Sequence, residues 1–382
     1  MYFNQCLLAK LLCFLPLFAL NAQDLPSRVD AAGFPFARNA ALGGAHTGLD
    51  GDFSSIFTNP AALVGAATRK NYMEFAVDTI DVELVYRLIA TDDPLPAFSG
   101  FLVDNFLAGV DLGGPFAFGR TGDGYAVGFF NVSKLNIAWD RDQVYMVLPT
   151  LTEEFTLAGA YGLRLYNGPD ANFDIGITAK VFLRMGYRSR PIYLQQVKYI
   201  LQDLMEMPFE TQLGAGADIG FRWTLNETLS FAAVIYDPFS PVLVTQYSTV
   251  GKIAEQEMIA EATIPVTTRA SIGISWKLLP PDSLLHKYFS DITLSFDYLG
   301  LLENLSETPR DPLLNISAGC EIRLLEVLSL RAGFRDMQPS GGIGLNFTFM
   351  NLDVSIYGSE LSDKPYHYST WSAAVNISFR GS

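Results

Sequence analysis

The 382-residue chain has three cysteines, three histidines and 17% charged residues. Two of the cysteines, Cys6 and Cys13, fall within the first 22 residues, so after that leader only Cys320 remains. One thiol in an exported protein of about 360 residues excludes an internal disulfide framework. Positive charge is also short: the formal net charge is −14, and −15 once Lys10 leaves with the leader, which argues against nucleic acid as a partner. Long apolar runs are missing as well. After residue 22 no stretch approaches the roughly 18 consecutive apolar residues of a membrane-spanning helix. His46, His286 and His367 stand in no Ser/His pattern of nucleophilic catalysis and no metal-ligand cluster. The chain reads as a non-enzyme that needs no cofactor.

What is present begins with Met1 to Ala22, where Lys10 precedes the apolar run Leu11 to Leu20 and the small residue Ala22. This is the pattern of a cleaved secretory signal peptide over residues 1–22, too short to span a bilayer. A lipidated Cys13 would leave almost no apolar run before it. Aromatic residues make up 13% of the chain, which is apolar overall yet lacks apolar runs. Alternation produces that combination.

Trp371, Ala373, Val375, Ile377 and Phe379 alternate with Ser372, Ala374, Asn376, Ser378 and Arg380. The same rhythm runs through 172–187, 209–224, 289–300, 312–324 and 340–349. A soluble β-sandwich alternates too, but several of these runs reach 10 to 12 residues, whereas soluble strands centre near about 5 or 6. Their polar face carries Gly, Ser, Asn and charges of both signs rather than the Lys and Glu of a solvated sheet. The expected fold is therefore all-β: a transmembrane antiparallel barrel in a Gram-negative-type outer membrane, whose strands are apolar at every second residue.

Strands are expected near 71–78, 115–121, 124–138, 152–166, 172–187, 209–224, 228–237, 265–277, 289–300, 312–324, 327–336, 340–349, 351–359 and 367–380, fourteen in all. The barrel spans residues 67–382. Connections after even-numbered strands are mostly short, whereas 79–114, 188–208 and 238–264 are long and extracellular in such barrels. The 278–288 connection is a longer exception on the short side. Parity places Asp174, Lys180, Arg184, Asp218, Arg222, Arg269, Asp297, Glu321, Arg323, Arg331, Arg335 and Asp353 in the lumen. They suit an ion-pair network holding a plug, with a selectivity ring as the rival reading. The same parity turns Cys320 toward lipid.

Residues 24–64 do not alternate. They hold Gly43-Gly44 and Asn59-Pro60, which break regular structure, among Phe34, Phe36, Phe53 and Phe57, which disorder would not favour. Irregular backbone at membrane depth must be buried in protein, so residues 23–66 are expected to form a plug, or hatch, inside the barrel. In loop 188–208, Leu194, Val197, Leu201, Leu204 and Met205 share one helical face. That face either packs on the rim or forms an extracellular hydrophobic groove, with 94–108 as a weaker partner.

The stretch from Arg38 through Gly43-Gly44, His46 and Gly48, then Asp50, Asp52 and Asn59-Pro60-Ala61, resembles the N-terminal hatch of the FadL-type outer-membrane transporters. The Asp336-to-Gly344 hairpin is similar to one in the branch with PorV-like secretion components. The resemblance implies a fourteen-stranded barrel plugged by its N-terminus, and binding and passive passage of long-chain fatty acids or other hydrophobic compounds. Outer-membrane lipids and a hydrophobic ligand are the implied partners of what reads as a monomer. Phe36, Gly43, Gly44, His46, Phe53, Phe57, Asn59 and Pro60 would line the path. A non-transport barrel that docks secretion components is the alternative that the sequence leaves open.

Overall fold

The structure is a computed structural model that describes residues 34–66, 69–80, 106–139, 146–188, 192–193, 207–279, 289–302, 310–360, 363–366 and 369–381. Its strands are β1 (Lys70–Ile80), β2 (Phe106–Gly122), β3 (Tyr125–Trp139), β4 (Met146–Asn167), β5 (Ala171–Arg188) and β6 (Phe209–Leu225). They continue as β7, with arms Leu229–Tyr236 and Pro241–Tyr247, and β8, with arms Met258–Pro265 and Arg269–Lys277. The series ends with β9 (Phe289–Tyr298), β10 (Ile316–Leu324), β11 (Leu328–Arg335), β12 (Gln338–Asn346), β13 (Met350–Glu360) and β14 (Ser369–Gly381). Each pairs antiparallel with its neighbour, and β14 returns to β1 from Asn71↔Gly381 to Thr79↔Ala373. The sheet is thus a closed barrel of fourteen strands.

The two arms of β7 both pair with β6, Leu225↔Leu229 through Asp218↔Tyr236 and Gly214↔Val242 through Phe209↔Tyr247. The arms of β8 follow them on the other side. This corrects the expected loop 238–264: most of it is barrel wall around a short helix, Gly251–Glu255. Asp237-Pro238-Phe239-Ser240 reads as a strand end, yet it is a break within one strand, with Asp237 at φ 53°. Two other expected loops shrink as well. β2 begins at Phe106, so of 79–114 only 81–105 lies outside the described residues, and Ile192–Tyr193 adds a short rung to β4. Leu194, Val197, Leu201, Leu204 and Met205, like residues 1–33 and most of 94–108, also lie outside them.

Alternation is written in the burial of each strand, with the polarity inverted relative to a soluble sheet. In β14 the apolar Trp371 and Phe379 are exposed on the outer face, while Ser372, Asn376 and Ser378 are buried. Phe118, Leu157, Ile177, Trp276 and Phe296 extend the exposed apolar face around the barrel. A sandwich would bury that face, because apolar surface drives folding by leaving water. Cys320 stands on the outer face between buried Gly319 and Glu321.

Candidate functional site

Residues 34–66 lie against inward-facing residues of the wall as a chain of short elements: helix α1 (Ala37–Ala41) and 3-10 turns at Phe53–Ile56 and Pro60–Gly65. Local chemistry starts each turn. The Asp52 carboxylate accepts from Ser54 N, and the Asn59 amide oxygen accepts from Ala61 N with Pro60 at the first helical position. Asn59 then donates through Nδ2 to Thr47 O at 2.8 Å, tying one turn to the next.

The wall holds this segment from many strands. Asp297 on β9 accepts the backbone N–H groups of His46 and Thr47, each at 2.8 Å. Tyr236 on β7 donates to Thr58 O, Thr178 on β5 to Ile56 O, Ser275 on β8 to Gly48 O and Ser340 on β12 to Ala41 O. Carbonyls and N–H groups that no regular structure satisfies are thereby paired with lumen side chains, as buried backbone must be. Close approach is possible because the wall is glycine there. Cβ atoms added at Gly176 and Gly220 would strike the Asn59–Ala61 stretch, and one at Gly342 would strike Ala41.

Ion pairs add two further ties. Arg38 bridges Asp52 and Glu321, both at 2.7 Å, and Glu321 passes the chain on to Arg331 and Asp353. Asp50 meets Arg222 at 2.5 Å and also Lys277. Burial would push the Asp50 carboxyl upward, but Arg222 and Lys277 hold it well below the usual carboxylate range. Burial, with Arg335 nearby, lowers the His46 imidazole to about 4.

On the side of β1 to β4 the contact is aromatic. Phe53 stacks on Tyr72 with centroids 4.8 Å apart and on Phe130 at 5.1 Å, and Phe57 meets Phe130 edge-on at 4.9 Å. Phe34 and Phe36 join them. A second inward apolar patch, Phe182 with Val242, Val244, Ile264 and Val266, lies under the upper arms of β7 and β8. Beside it, Thr150, Thr152, Arg184, Gly186, Tyr187, Glu210 and Gln212 line a cavity of about 270 Å³.

Of the residues singled out in the sequence, Phe36, Phe53 and Phe57 gather in the aromatic cluster. Gly43 and Gly44 lie on β11, and Asn59-Pro60 lies over β5 and β6. Arg222, Glu321 and Arg331 take part in the ties to the segment, and Arg335 runs beside Gly44. Among the described residues Arg184 pairs with wall residues, with Glu154 at 2.7 Å and with Gln212. Lys180 and Asp218 are likewise wall to wall, in a buried triad with Asp237. The sequence reading missed Glu154, Asp237 and Lys277 as partners. Parity of the flanking runs could have found Glu154 and Lys277, whereas Asp237 falls in the strand break.

No family model matches the chain, and no curated protein matches it. Among solved structures it is similar to the toluene transporter TodX of Pseudomonas putida, at 10% identity over 92% of this chain and 98% of that one, TM-score 0.48. It is also similar to the CymD monoaromatic hydrocarbon channel (12%, 90% and 96%, TM-score 0.49). A FadL homologue of Pseudomonas aeruginosa is a third (12%, 90% and 96%, TM-score 0.44). The likeness is one of overall architecture.

Proposed function

We propose that this chain is exported through a cleaved leader, spans a Gram-negative-type outer membrane as a monomer, and passes hydrophobic compounds such as long-chain fatty acids. The observation that carries the reading is the placement of apolar surface. An outer face rich in exposed Phe, Leu, Ile and Trp is stable where lipid is the solvent. Within a lumen lined largely by polar side chains, Phe34, Phe36, Phe53, Phe57, Phe130 and Tyr72 form an inward apolar surface between segment and wall. Cargo binds from outside and passes these rings when the turns at Gly43-Gly44 and Asn59-Pro60 rearrange, so that residues 23–66 act as a hatch.

The test is uptake of a radiolabelled long-chain fatty acid by proteoliposomes, with and without Phe36→Ser and Phe57→Ser. Saturable uptake that falls in the variants is the expected result. Absence of uptake, with no lipid-like compound retained by the purified protein, would overturn the proposal in favour of a docking role in secretion.

A further inference from the structure

The cavity of about 270 Å³ lies on β4, β5 and β6, at the end where β5 finishes and β6 begins. Its residues share the inward parity of buried Glu154 and Phe182. Thr152 stands opposite Gly186, and Gly186 opposite Glu210. Gly186 makes the room: a Cβ added there would lie 2.7 Å from the Thr152 methyl.

Charge in this corner is unbalanced. Arg184 is engaged by Glu154, through Nε at 2.8 Å and Nη2 at 2.7 Å, and donates through Nη1 to Gln212 Oε1 at 3.1 Å. Glu210 forms no ion pair among the described residues. Two amides hold it instead: Gln212 Nε2 donates to Oε1 at 2.7 Å, and Gln246 Nε2 donates to Oε2 at 3.0 Å. Elsewhere on the inner wall Asp174, Glu321 and Asp353 each pair with an arginine. Two amide donors fill part of a carboxylate's acceptor capacity, about four positions, and leave its charge uncompensated. One arginine thus stands against two carboxylates, those of Glu154 and Glu210.

That balance discriminates between head groups. An anion entering the cavity would face Glu210 and would have to displace Glu154 from Arg184, and like charge rejects it. A cation finds the open acceptor positions of Glu210, for a charge-assisted hydrogen bond. It also finds the hydroxyls of Thr150 and Thr152 and the ring of Tyr187, a group that attracts cations over its face.

An apolar strip continues from the acidic corner. Gln212 stands opposite Val244 and Gly214 opposite Val242, while Gln246 stands opposite Glu210. The Arg184 guanidinium lies 5.7 Å from the centroid of Phe182, which packs with both valines and with Ile264. The surface is therefore acidic at one end and apolar at the other. Its volume falls just under the roughly 300–1,000 Å³ of pockets for drug-sized ligands, which suits a single unbranched chain.

We infer that this cavity binds a cationic amphiphile, an alkyl chain ending in a primary ammonium, with the head on Glu210 and the chain along Phe182 toward Val242. The site goes beyond the cargo proposed above. It does not use the aromatic cluster, and a fatty acid, whose head is an anion, is not its ligand.

The experiment is isothermal titration calorimetry of octylamine, octanol and octanoate into the full-length protein in detergent, for wild type, Glu210→Gln and Thr152→Leu. Octylamine is charged at pH 7, as a lysine side chain is. Partition into micelles is common to the three proteins and cancels between them, and heat-modifiable gel mobility confirms that each barrel is folded. Octylamine is expected to bind wild type about tenfold tighter than octanol or octanoate, or more, the scale of one hydrogen bond to a charged group. Glu210→Gln should erase that preference. Thr152→Leu puts bulk over Gly186, leaves both carboxylates in place, and should abolish amine binding. Octanoate that binds as tightly as octylamine, or amine affinity that survives either substitution, would overturn the site. Fatty-acid uptake measured separately keeps the two proposals apart: uptake without amine binding sinks this site alone, and amine binding without uptake sinks the fatty-acid cargo alone.

Discussion

Gly43 lies with φ +63° against the backbone of Phe334, where an added Cβ would stand within 2.7 Å of three main-chain atoms. Neither the dihedral nor the space admits a side chain. Gly43→Ala is expected to cost the docked segment about 1–3 kcal/mol, the range for a strained backbone position. The barrel keeps its fold, because Gly43 is outside every strand. Limited proteolysis near residue 43 and a higher conductance would report the loosened segment. His46, three residues on and tied by its N–H to Asp297, is expected to make docking of the segment pH-dependent. Its folded value of about 4 lies below the ordinary 6.5, so its contribution is fully present above about 6.5 and is lost as pH falls through 4. Acidification across that window should raise conductance in wild type and do so less in His46→Gln. Equal pH profiles would show that His46 does not control docking.

At the scale of single strands, the break in β7 is stabilised by charge. Lys180 donates to both Asp218 and Asp237, Ser240 donates to Asp237, and Asp237 N donates to Asp218, all in buried surroundings. Lys180→Met would leave two buried carboxylates facing each other, a change expected to cost about 3–5 kcal/mol. Thermal unfolding followed by heat-modifiable mobility should show the loss, and the double variant Lys180→Met with Asp237→Asn should recover part of it. The turn between β10 and β11 presents the reverse case. Leu325 and Glu326 both have positive φ, 50° and 60°, which costs about 1–2 kcal/mol per residue without glycine. Leu325→Asn with Glu326→Gly should therefore stabilise the barrel by about 1 kcal/mol or more, read as a higher midpoint in denaturant.

These elements also mark where the sequence was legible. β5, β6 and β14 could be read because one face is apolar at every second position for ten residues or more. The arms Pro241–Tyr247 and Met258–Pro265 could not, since Val242, Leu243 and Val244 are apolar on both faces and Pro238 precedes them as a stop signal. The inner valines are apolar because they pack on Phe182 rather than on polar lumen. In the site, parity put Glu321 and Arg331 in the lumen, and the hairpin register Glu321↔Arg331 makes their pairing readable. Arg38, 283 residues away from Glu321, could not be paired that way, because nothing local fixes how an irregular segment lies in a barrel.

At the scale of the whole molecule, the pairing of β14 with β1 closes the barrel. Fourteen strands enclose a wider interior than the eight whose own side chains can fill it, and in the proposed reading residues 34–66 supply the filling. The most direct test is single-channel conductance of the reconstituted wild type against a variant lacking residues 24–64, with heat-modifiable mobility confirming that both barrels fold. Wild type is expected to conduct only weakly and the deletion variant like an open porin. A wild type that already conducts like a porin, or a folded deletion variant that conducts no better, would contradict the account.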